Sequence, residues 1–330
     1  MAIPSRQAGG VPIVAVTRWL PPPAVDPLVA AGLEVRYRAV DEPPSVDELA
    51  SHVAGADAVL ALLTERIDER ILDAAGPQLA VVANMAVGYD NIDVHACAAR
   101  GVIVTNTPDV LTEATADLTW ALLLAAARRL GEGERLVRAG GWDGWRPGQL
   151  LGMGLEGKTL GVLGMGKIGS AVARRALGFG MRVTYHNRTE SPRAAALGAR
   201  YASFEELVAG CDVLVVTAPL SEATRHLLDA GALRRMKPGS ILVNTSRGPL
   251  VDEAALVEAL RSGHLRAAGL DVYEREPALA EGLAELDNVV LAPHLGSATD
   301  EARAAMVELA CGNIVEVLAG RAPLTPVAPA

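Results

Sequence analysis

A glycine motif in the middle of the chain restricts the possible folds most strongly. Residues 164–169 read GMGKIG, after the apolar run TLGVL and before the helical stretch SAVARRALGFG. This is the G-x-G-x-x-G pattern of a strand–turn–helix unit that binds a dinucleotide. Gly164 permits the tight turn, Gly166 lets the backbone approach a pyrophosphate, and Gly169 lets the helix pack close to the strand. The amino terminus of the helix adds free N–H groups for the phosphates.

The residues after the second strand of this unit bear on the choice of cofactor. Many such units place an acidic residue there, which accepts hydrogen bonds from the ribose hydroxyls of NAD. Here Asn187 occupies that place, and Arg188 follows it. Arg188 can pair with a 2′-phosphate, and Thr189 adds a hydroxyl donor. The sequence therefore favours NADP(H). The alternative is a tolerant site that also uses NAD(H), with Arg188 as a surface charge.

Short apolar runs alternate with longer Ala-rich stretches along nearly the whole chain. A long apolar helix is predicted over Thr112–Leu130, ending at Gly131, with a loop rich in Gly, Trp and Pro after it. The alternation is the βαβ pattern of parallel sheets with helices on both faces. It predicts an α/β fold with two Rossmann-like doubly wound domains. The predicted strands are Ile13–Thr17, Ala58–Leu62, Ala80–Asn84, Ile103–Thr105, Thr159–Leu163, Arg182–Tyr185, Val213–Thr217, Ser240–Asn244, Ala267–Leu270 and Val289–Ala292.

The position of the glycine motif predicts how the domains are arranged along the chain. The motif begins well past the middle of a first domain, so the dinucleotide-binding domain is expected to be inserted in the chain. We predict a discontinuous, flavodoxin-like substrate domain of residues 1–103 plus 295–330. The Rossmann domain that binds NAD(P) is predicted over residues 104–294. A last helix near Asp300–Leu318 is expected to return to the first domain.

Composition and charge weigh against several classes of protein. Half of the 330 residues are hydrophobic and 21% are charged, which is a globular composition. The net charge of −9 weighs against a nucleic-acid or anionic-membrane partner, because both are negatively charged and bind basic protein surfaces. Cys97, Cys211 and Cys311 form no C-x-x-C pair and lie far apart, so we expect three reduced thiols and no metal site.

The sequence also carries no sign of a targeting or membrane segment. Its first residues, MAIPSRQAGGVPIVAV, lack a basic region followed by a long apolar run, so no signal peptide is expected. The apolar stretch Leu118–Ala127 is too short to span a bilayer. We therefore expect a cytoplasmic protein.

Polar residues follow three of the later strands. Arg247 comes after ILVN, Asp271 comes after AAGL with Glu276 close behind, and His294 comes after VVLAP. Open α/β sheets bind ligands outside the carboxyl ends of their strands. These strand ends are therefore expected to face one crevice.

At this point the chain resembles the D-isomer-specific 2-hydroxyacid dehydrogenase family, and most closely its glyoxylate/hydroxypyruvate reductase branch. The resemblance runs from about residue 11 to residue 322. Five motifs carry it in the order of the family: NMAVGYDNID (84–93), GMGKIG (164–169), NTSRG (244–248), GLDVYEREP (269–277) and PHLGSAT (293–299). They are very specific for the superfamily and less specific for the substrate.

The resemblance implies a catalytic set of Arg247, Glu276 and His294. Arg247 would clamp the substrate carboxylate and polarise the carbonyl, a task that suits a planar guanidinium. His294 would be the general acid in reduction and the base in oxidation. Glu276 would pair with His294 and favour its protonated form. Asp271 would bond the nicotinamide carboxamide and orient the ring.

The resemblance also implies where ligands bind. Val87 and Gly88 would present backbone N–H groups to the substrate carboxylate, beside Arg247 and His294. No metal is expected. The predicted cofactor-binding residues are Gly164, Met165, Gly166, Lys167, Ile168, Asn187, Arg188, Thr189, Thr245, Ser246, Asp271 and Gly296.

A homodimer is implied too, because related reductases carry a similar GGW segment at the dimer interface. Trp142 and Trp145 lie in this segment. Either one of them reaches the active site of the partner subunit and limits substrate size, or both are only interfacial, as tryptophans often are.

The function implied is reduction of small 2-oxo acids, glyoxylate to glycolate and hydroxypyruvate to D-glycerate, with NADPH preferred and NAD(H) possible. Another branch of the superfamily is an alternative, either a 2-ketogluconate reductase or a phosphoglycerate dehydrogenase. The first-domain loop lacks a Lys or Arg for a substrate phosphate, which disfavours the latter. A further alternative is a dinucleotide-sensing protein like the corepressors built on this fold.

Overall fold

The computed structural model describes residues 10–328, which fold into two compact units. Among these residues, the first unit runs to Leu111 and resumes at Ala298, and the second comprises Thr112–Ser297. The first boundary lies beyond the predicted 103/104. The reason is that Asn106 and Thr107 hydrogen-bond to residues of the first unit: the N–H of Asn106 donates to Thr325, and that of Thr107 donates to Ala86.

A five-stranded parallel sheet forms the first unit, in the order β2-β1-β3-β4-β5. Its strands are β1 Ile13–Val16, β2 Glu34–Tyr37, β3 Ala58–Ala61, β4 Val81–Asn84 and β5 Ile103–Thr105. Its helices are α1 Asp26–Ala30, α2 Val46–Val53, α3 Glu69–Ala75, α4 Val94–Ala99 and the C-terminal helix Asp300–Leu318. The strand order is that of flavodoxin-like sheets.

Burial explains why these residues form these elements. Every residue of β3 and β4 is buried, as expected for central parallel strands covered on both faces. Helix α2 begins at a capping box in which Ser45 and Glu48 bond each other's backbone N–H groups. The C-terminal helix packs on β3 and β4, so the chain returns to this unit after leaving it.

The second unit holds a seven-stranded parallel sheet in the order β12-β11-β10-β9-β6-β7-β8. Its strands are β6 Thr159–Leu163, β7 Arg182–His186, β8 Arg200–Tyr201, β9 Val213–Val216, β10 Ser240–Asn244, β11 Leu265–Leu270 and β12 Val289–Leu291. Its helices are α5 Thr112–Ala127, α6 Leu130–Arg138, α7 Lys167–Gly178, α8 Pro192–Ala195, α9 Phe204–Gly210, α10 Ala230–Arg235 and α11 Glu253–Arg261.

This strand order has the topological switch point of a Rossmann sheet. Chain order runs outward from β6 in one direction through β7 and β8, and in the other from β9 to β12. Ligands of such sheets bind outside the carboxyl ends of the strands, at the point where the order reverses. The turn after β6 lies at that point, which is where the glycine motif stands.

Two strands escaped the sequence prediction, and both are at sheet edges. β2, with the sequence EVRY, has no buried residue, so it lacks the continuous apolar run that reveals a buried parallel strand. β8 has only two residues. The ten strands that were predicted are present: three have the predicted bounds, and the others differ by one or two residues at one end.

The prediction of one helix over Thr112–Leu130, ended by Gly131, is wrong. Helix α5 ends at Ala127, where the returning chain donates the N–H of Met153 to the Ala127 carbonyl at 2.8 Å. Arg129 then takes a left-handed φ of 54°. A second helix, α6, begins at Leu130 and includes Gly131, so Gly131 does not end the helical region.

Within residues 10–328, none of the helices has the combination of length and apolarity that crossing a bilayer requires. The same part of the chain has no cluster of three or more His, Cys, Asp or Glu side chains placed to hold a metal ion. Cys97, Cys211 and Cys311 are free and buried, and burial raises the pKa of each thiol to about 12.

Candidate active site

The glycine motif forms the turn between β6 and α7. Gly164 has a φ of +103°, and a Cβ there would lie 2.5 Å from the backbone nitrogen of Ala218. A Cβ on Gly169 would lie 2.2 Å from the Gly164 carbonyl oxygen and 2.9 Å from Oγ1 of Thr217. Both positions therefore require glycine, since the strand and the helix leave no room for a side chain.

The end of this turn has open space for a ligand. Nothing lies within 4 Å of the Cβ position of Gly166, which is exposed and precedes the first residue of α7. Lys167 is exposed, Ile168 is half-buried and Met165 is buried. The free N–H groups and the dipole of the 12-residue helix favour a negative group here. The turn therefore fits the pyrophosphate of a dinucleotide.

The predicted specificity segment follows β7 and is joined to the glycine turn. Oδ1 of Asn187 accepts the N–H of Met165 at 2.6 Å, and the Asn187 carbonyl accepts the Tyr201 hydroxyl at 3.1 Å. Arg188 and Thr189 follow and are exposed. Asn187 thus braces the turn, and a cationic and a hydroxyl side chain stand beside it.

Three neighbouring strands are each followed by a predicted site residue. β10, β11 and β12 are adjacent and parallel. Arg247 follows β10, Asp271 follows β11 and His294 follows β12. Because the carboxyl ends of parallel strands meet at one edge of a sheet, these residues share that edge with the glycine turn.

His294 and Glu276 form a direct pair. Nδ1 of His294 lies 2.9 Å from Oε2 of Glu276, and Oε1 of Glu276 accepts the Tyr273 N–H at 3.0 Å. Burial opposes ionisation of Glu276, but the hydrogen bond and charge of His294 outweigh it and lower the Glu276 pKa. The Tyr273 N–H and the Arg247 charge act in the same direction. An ionised carboxylate therefore faces the imidazole and stabilises its protonated form.

The backbone of His294 is held in an unusual conformation. Its φ is 55°, in the left-handed region that L-residues enter at a cost. The Asp271 carbonyl accepts the His294 N–H at 2.9 Å, and the Asp271 carboxylate accepts those of Leu295 at 2.6 Å and Gly296 at 2.8 Å. Asp271 is fully buried, and burial raises its pKa. Asp271 thus braces the turn that carries His294, while its contact with a nicotinamide ring stays a prediction.

The loop that carries Arg247 is fixed by its neighbours. Asn244 donates through Nδ2 to the Arg247 carbonyl at 2.9 Å and accepts the Ser246 N–H at 3.0 Å. Nη1 of Arg247 donates to the Ser246 carbonyl at 2.9 Å. A Cβ on Gly248 would lie 1.8 Å from the carbonyl carbon of Tyr273, so the loop packs directly against the segment after β11.

Thr245 and Ser246, both predicted cofactor contacts, join this loop to other parts of the unit. Oγ1 of Thr245 lies 2.7 Å from Oγ1 of Thr119, in the buried helix α5. Oγ of Ser246 donates to the Ala218 carbonyl at 2.5 Å. The backbone of Ala218 also packs directly against Gly164, where a Cβ would lie 2.5 Å from the Ala218 nitrogen. Ser246 therefore links the Arg247 loop to the glycine turn.

Val87 and Gly88 lie in the first unit, directly after β4, and both are half-buried. The Val87 carbonyl accepts from Nδ2 of Asn106, and the Gly88 carbonyl accepts from Nδ2 of Asn84, each at 2.8 Å. Sequence reasoning did not identify either asparagine, because an amide at a strand end has many possible partners. The signals in the sequence were that each stands at the carboxyl end of a strand and that Asn84 is the first residue of the motif at 84–93.

Sequence reasoning also did not identify several residues that hold the backbone segment before Glu276 in place. Buried Glu253 accepts the Glu274 N–H at 2.6 Å, and Oε1 of Glu274 lies 2.8 Å from Nε2 of His226. The Tyr273 hydroxyl donates to the Ala292 carbonyl at 2.8 Å, which ties this segment to the strand before His294. In the sequence Glu253 looks like an ordinary first-turn helix residue, so nothing local distinguishes it.

A dinucleotide-binding sheet with a His–Glu pair and an arginine at its carboxyl edge defines an oxidoreductase that uses a nicotinamide cofactor. Comparison with known proteins agrees: residues 120–296 match the family model of the D-isomer specific 2-hydroxyacid dehydrogenase NAD-binding domain. The chain belongs to the D-isomer specific 2-hydroxyacid dehydrogenase family. The predicted family and the predicted α/β fold are thereby confirmed.

Relatives of known name cover almost the whole chain. It is 45% identical to a glyoxylate reductase of Thermococcus litoralis, over 94% of this chain and 95% of the relative. It is 48% identical to a glyoxylate reductase of Aeropyrum pernix, over 94% of both. Among solved structures, an NADPH-dependent glyoxylate/hydroxypyruvate reductase of Sinorhizobium meliloti, in complex with NADP and malonate, matches with a TM-score of 0.84 and 36% identity, over 97% of each chain.

Proposed function

We propose that this enzyme reduces small 2-oxo acids, glyoxylate to glycolate and hydroxypyruvate to D-glycerate, and that it prefers NADPH. The observation that carries the proposal is the 2.9 Å pair of His294 and Glu276 beside the Arg247 loop. A proton donor beside an arginine suits a substrate in which a carbonyl lies next to a carboxylate. The names of the relatives above point to the same substrates.

Each side chain has a role in this proposal. When bound, the nicotinamide cofactor supplies the hydride. Arg247 binds the substrate carboxylate and polarises the carbonyl. The protonated imidazole of His294 gives its proton to the carbonyl oxygen as that oxygen gains charge, and Glu276 stabilises the imidazolium beforehand. In the oxidative direction His294 takes the proton back.

The two units have separate tasks in the proposal. The second unit binds the cofactor at the glycine turn after β6, with Thr245, Ser246, Asp271 and Gly296 around the carboxyl edge. The first unit binds the substrate, whose carboxylate accepts the backbone N–H groups of Val87 and Gly88. Val87 and Gly88 are half-buried, so this loop is partly exposed to solvent.

An assay at 340 nm tests the function directly. Glyoxylate, hydroxypyruvate, pyruvate and 2-ketogluconate are each supplied with NADPH and with NADH. We expect the highest kcat/KM for glyoxylate and hydroxypyruvate with NADPH. Faster turnover of 2-ketogluconate would assign the enzyme to another branch of the family, and a preference for NADH would contradict the cofactor proposal alone.

Replacing Arg188 by Gln should raise the KM for NADPH and leave that for NADH nearly unchanged. The guanidinium is proposed to pair with the 2′-phosphate, which NADH lacks. Loss of such a charged hydrogen bond costs about 1.5–3 kcal/mol, or about tenfold to a hundredfold in KM. Arg182, exposed at the other end of β7, provides the matched control as Arg182→Gln. Equal changes for both cofactors in the Arg188 variant would contradict the proposal.

We also propose that the enzyme is a homodimer and that residues 130–151 form the contact. Helix α6 has no buried residue, and Trp142 and Trp145 are 54% and 80% exposed. Leu130, Val137 and Leu151 are exposed as well. Clustered apolar exposure of this kind marks an interaction surface. Sedimentation equilibrium should give twice the chain mass, and a monomer at all concentrations would contradict the dimer.

A further inference from the structure

Three consecutive peptide carbonyls of the first-unit loop are held by fixed donors. The Ala86 carbonyl accepts the N–H of Thr107 at 2.9 Å. The Val87 carbonyl accepts from Nδ2 of Asn106, and the Gly88 carbonyl accepts from Nδ2 of Asn84, both at 2.8 Å. The orientation of each of these three peptide planes is therefore determined by a hydrogen bond.

Fixing a carbonyl also fixes the N–H on the other side of the same peptide. In a planar trans peptide the N–H points opposite to the C=O. The N–H groups of Val87, Gly88 and Tyr89 therefore point away from the donors that hold the carbonyls. Among the described residues, none of these three N–H groups donates a hydrogen bond. Backbone N–H groups that have no acceptor among the described residues are donors available to an anion.

From this geometry we infer that Asn84 and Asn106 are positioning residues for substrate binding: they orient the backbone N–H groups that receive the substrate carboxylate. The inference rests on the proposed function, which assigns the carboxylate to Val87 and Gly88. Neither asparagine needs to touch the substrate. Each acts through the peptide whose carbonyl it holds.

The side chain of Asn84 is itself locked in place. It is fully buried at the end of β4, and its Nδ2 also lies 3.3 Å from Oδ1 of Asn91, which accepts from it. Nδ2 of Asn91 also donates to the carbonyls of Leu62 and Glu65, both at 3.0 Å. This network fixes which end of the Asn84 amide faces the Gly88 carbonyl. An aspartate of the same shape would present only acceptors there.

Asn106 is anchored by its main chain, independently of its side chain. Its N–H donates to the Thr325 carbonyl at 3.3 Å, and its carbonyl accepts from Oγ1 of Thr325 at 2.6 Å. Thr325 is held in turn by buried Asn313, through its N–H at 2.9 Å and its hydroxyl at 2.8 Å. Truncating the Asn106 side chain therefore removes the hydrogen bond to the Val87 carbonyl, while the main-chain bonds between Asn106 and Thr325 remain.

Kinetics of Asn106→Ala and Asn84→Ala test the inference. We expect the KM for glyoxylate to rise by about tenfold to a hundredfold, as for weakened bonds to a charged group, with a smaller change in kcat. The dissociation constant of NADPH should not change. Asn106→Asp, isosteric but without the donor, should show at least the same rise in KM.

Asn288→Ala is the matched control. Asn288 also donates to two backbone carbonyls, those of Leu260 and Arg266, but it lies at the amino end of β12, so its KM should match the wild type.

Binding of oxamate, a 2-oxo carboxylate analogue that accepts no hydride, separates this inference from the proposed function. In the wild-type holoenzyme, oxamate should slow amide hydrogen exchange in residues 86–89, and both alanine variants should lose this protection. If the variants reduced glyoxylate with the wild-type KM and bound oxamate with the wild-type affinity, the inference would be overturned. The proposed function would be unaffected. If the wild-type enzyme reduced no 2-oxo acid but oxamate still protected it, and the variants lost this protection, the inference would be supported and the proposed function overturned. No protection in the wild type would overturn the inference.

Discussion

Replacing His294 by Asn is expected to lower kcat for 2-oxo acid reduction by about 10²–10⁴-fold, the usual contribution of a positioned general acid. Asn suits the test because it tolerates the left-handed conformation that His294 adopts, with its φ of 55°. The fold and the turn braced by Asp271 should therefore survive. Steady-state assays measure kcat, and fluorescence titration with NADPH checks that cofactor binding is retained.

A second histidine provides the control for this experiment. His264 bonds the Leu233 carbonyl through Nε2 at 3.1 Å and precedes β11, at the amino end of the strand. His264→Asn should keep the wild-type kcat. A His294 variant that kept it too would remove His294 from the mechanism.

The partner of His294 predicts a pH effect. Glu276 has a lowered pKa, so it is charged throughout the neutral range, and its support of the imidazolium disappears only as pH falls through that lowered pKa. Glu276→Gln keeps an acceptor for Nδ1 but removes the charge. Without this negative charge beside His294, the alkaline limb of kcat/KM for reduction should shift to lower pH. A profile identical to that of the wild type would contradict the role of Glu276.

Ten of the twelve strands in the described part of the chain could be predicted, to within two residues at each end, because buried parallel strands have a simple local signature. Runs such as AVLA in β3 and SILVN in β10 are continuously apolar or nearly so, and every residue in them is buried. A polar residue after such a run stands at the carboxyl edge of the sheet. That rule alone brings Arg247, Asp271 and His294 together.

Features that depend on a distant partner could not be predicted in this way. Helix α5 ends at Ala127 because Met153 takes the last carbonyl, and no Gly or Pro marks the break at Arg128–Leu130. The sequence shows a continuous helical pattern there, so local reasoning extends the helix too far. Edge strand β2 is the opposite case, since pairing with β1 makes it a strand without an apolar run.

The candidate site shows the same division between local and long-range information. Motifs predict which residues face a ligand, but they do not show what orients those residues. Asp271 reaches the N–H groups of Leu295 and Gly296, and Asn106 reaches the Val87 carbonyl, across separations of 19 to 25 residues. Such bonds follow from the packed strand order, so they become visible only in the folded chain.

Replacing Arg247 by Ala is expected to lower kcat/KM for glyoxylate by about 30-fold to several thousandfold, because removing one member of a buried charge pair costs about 2–5 kcal/mol. Arg247→Lys should recover only part of the loss, since an ammonium group cannot form the bidentate contact of a guanidinium. The Arg247 backbone is held by Asn244 and packs through Gly248, so truncating the side chain leaves the loop in place.

Rescue by a small molecule makes this result specific. Guanidinium ion added to the Arg247→Ala enzyme should restore part of kcat/KM, because it replaces the missing group in the space the side chain leaves. Arg261→Ala is the control: Arg261 pairs with Glu258 on the exposed face of α11, where an ion pair contributes little, so its kcat/KM should match the wild type. An Arg247→Ala enzyme with wild-type kcat/KM would show that the carboxylate is recognised elsewhere, and the backbone N–H groups of Val87 and Gly88 would then have to bind it alone.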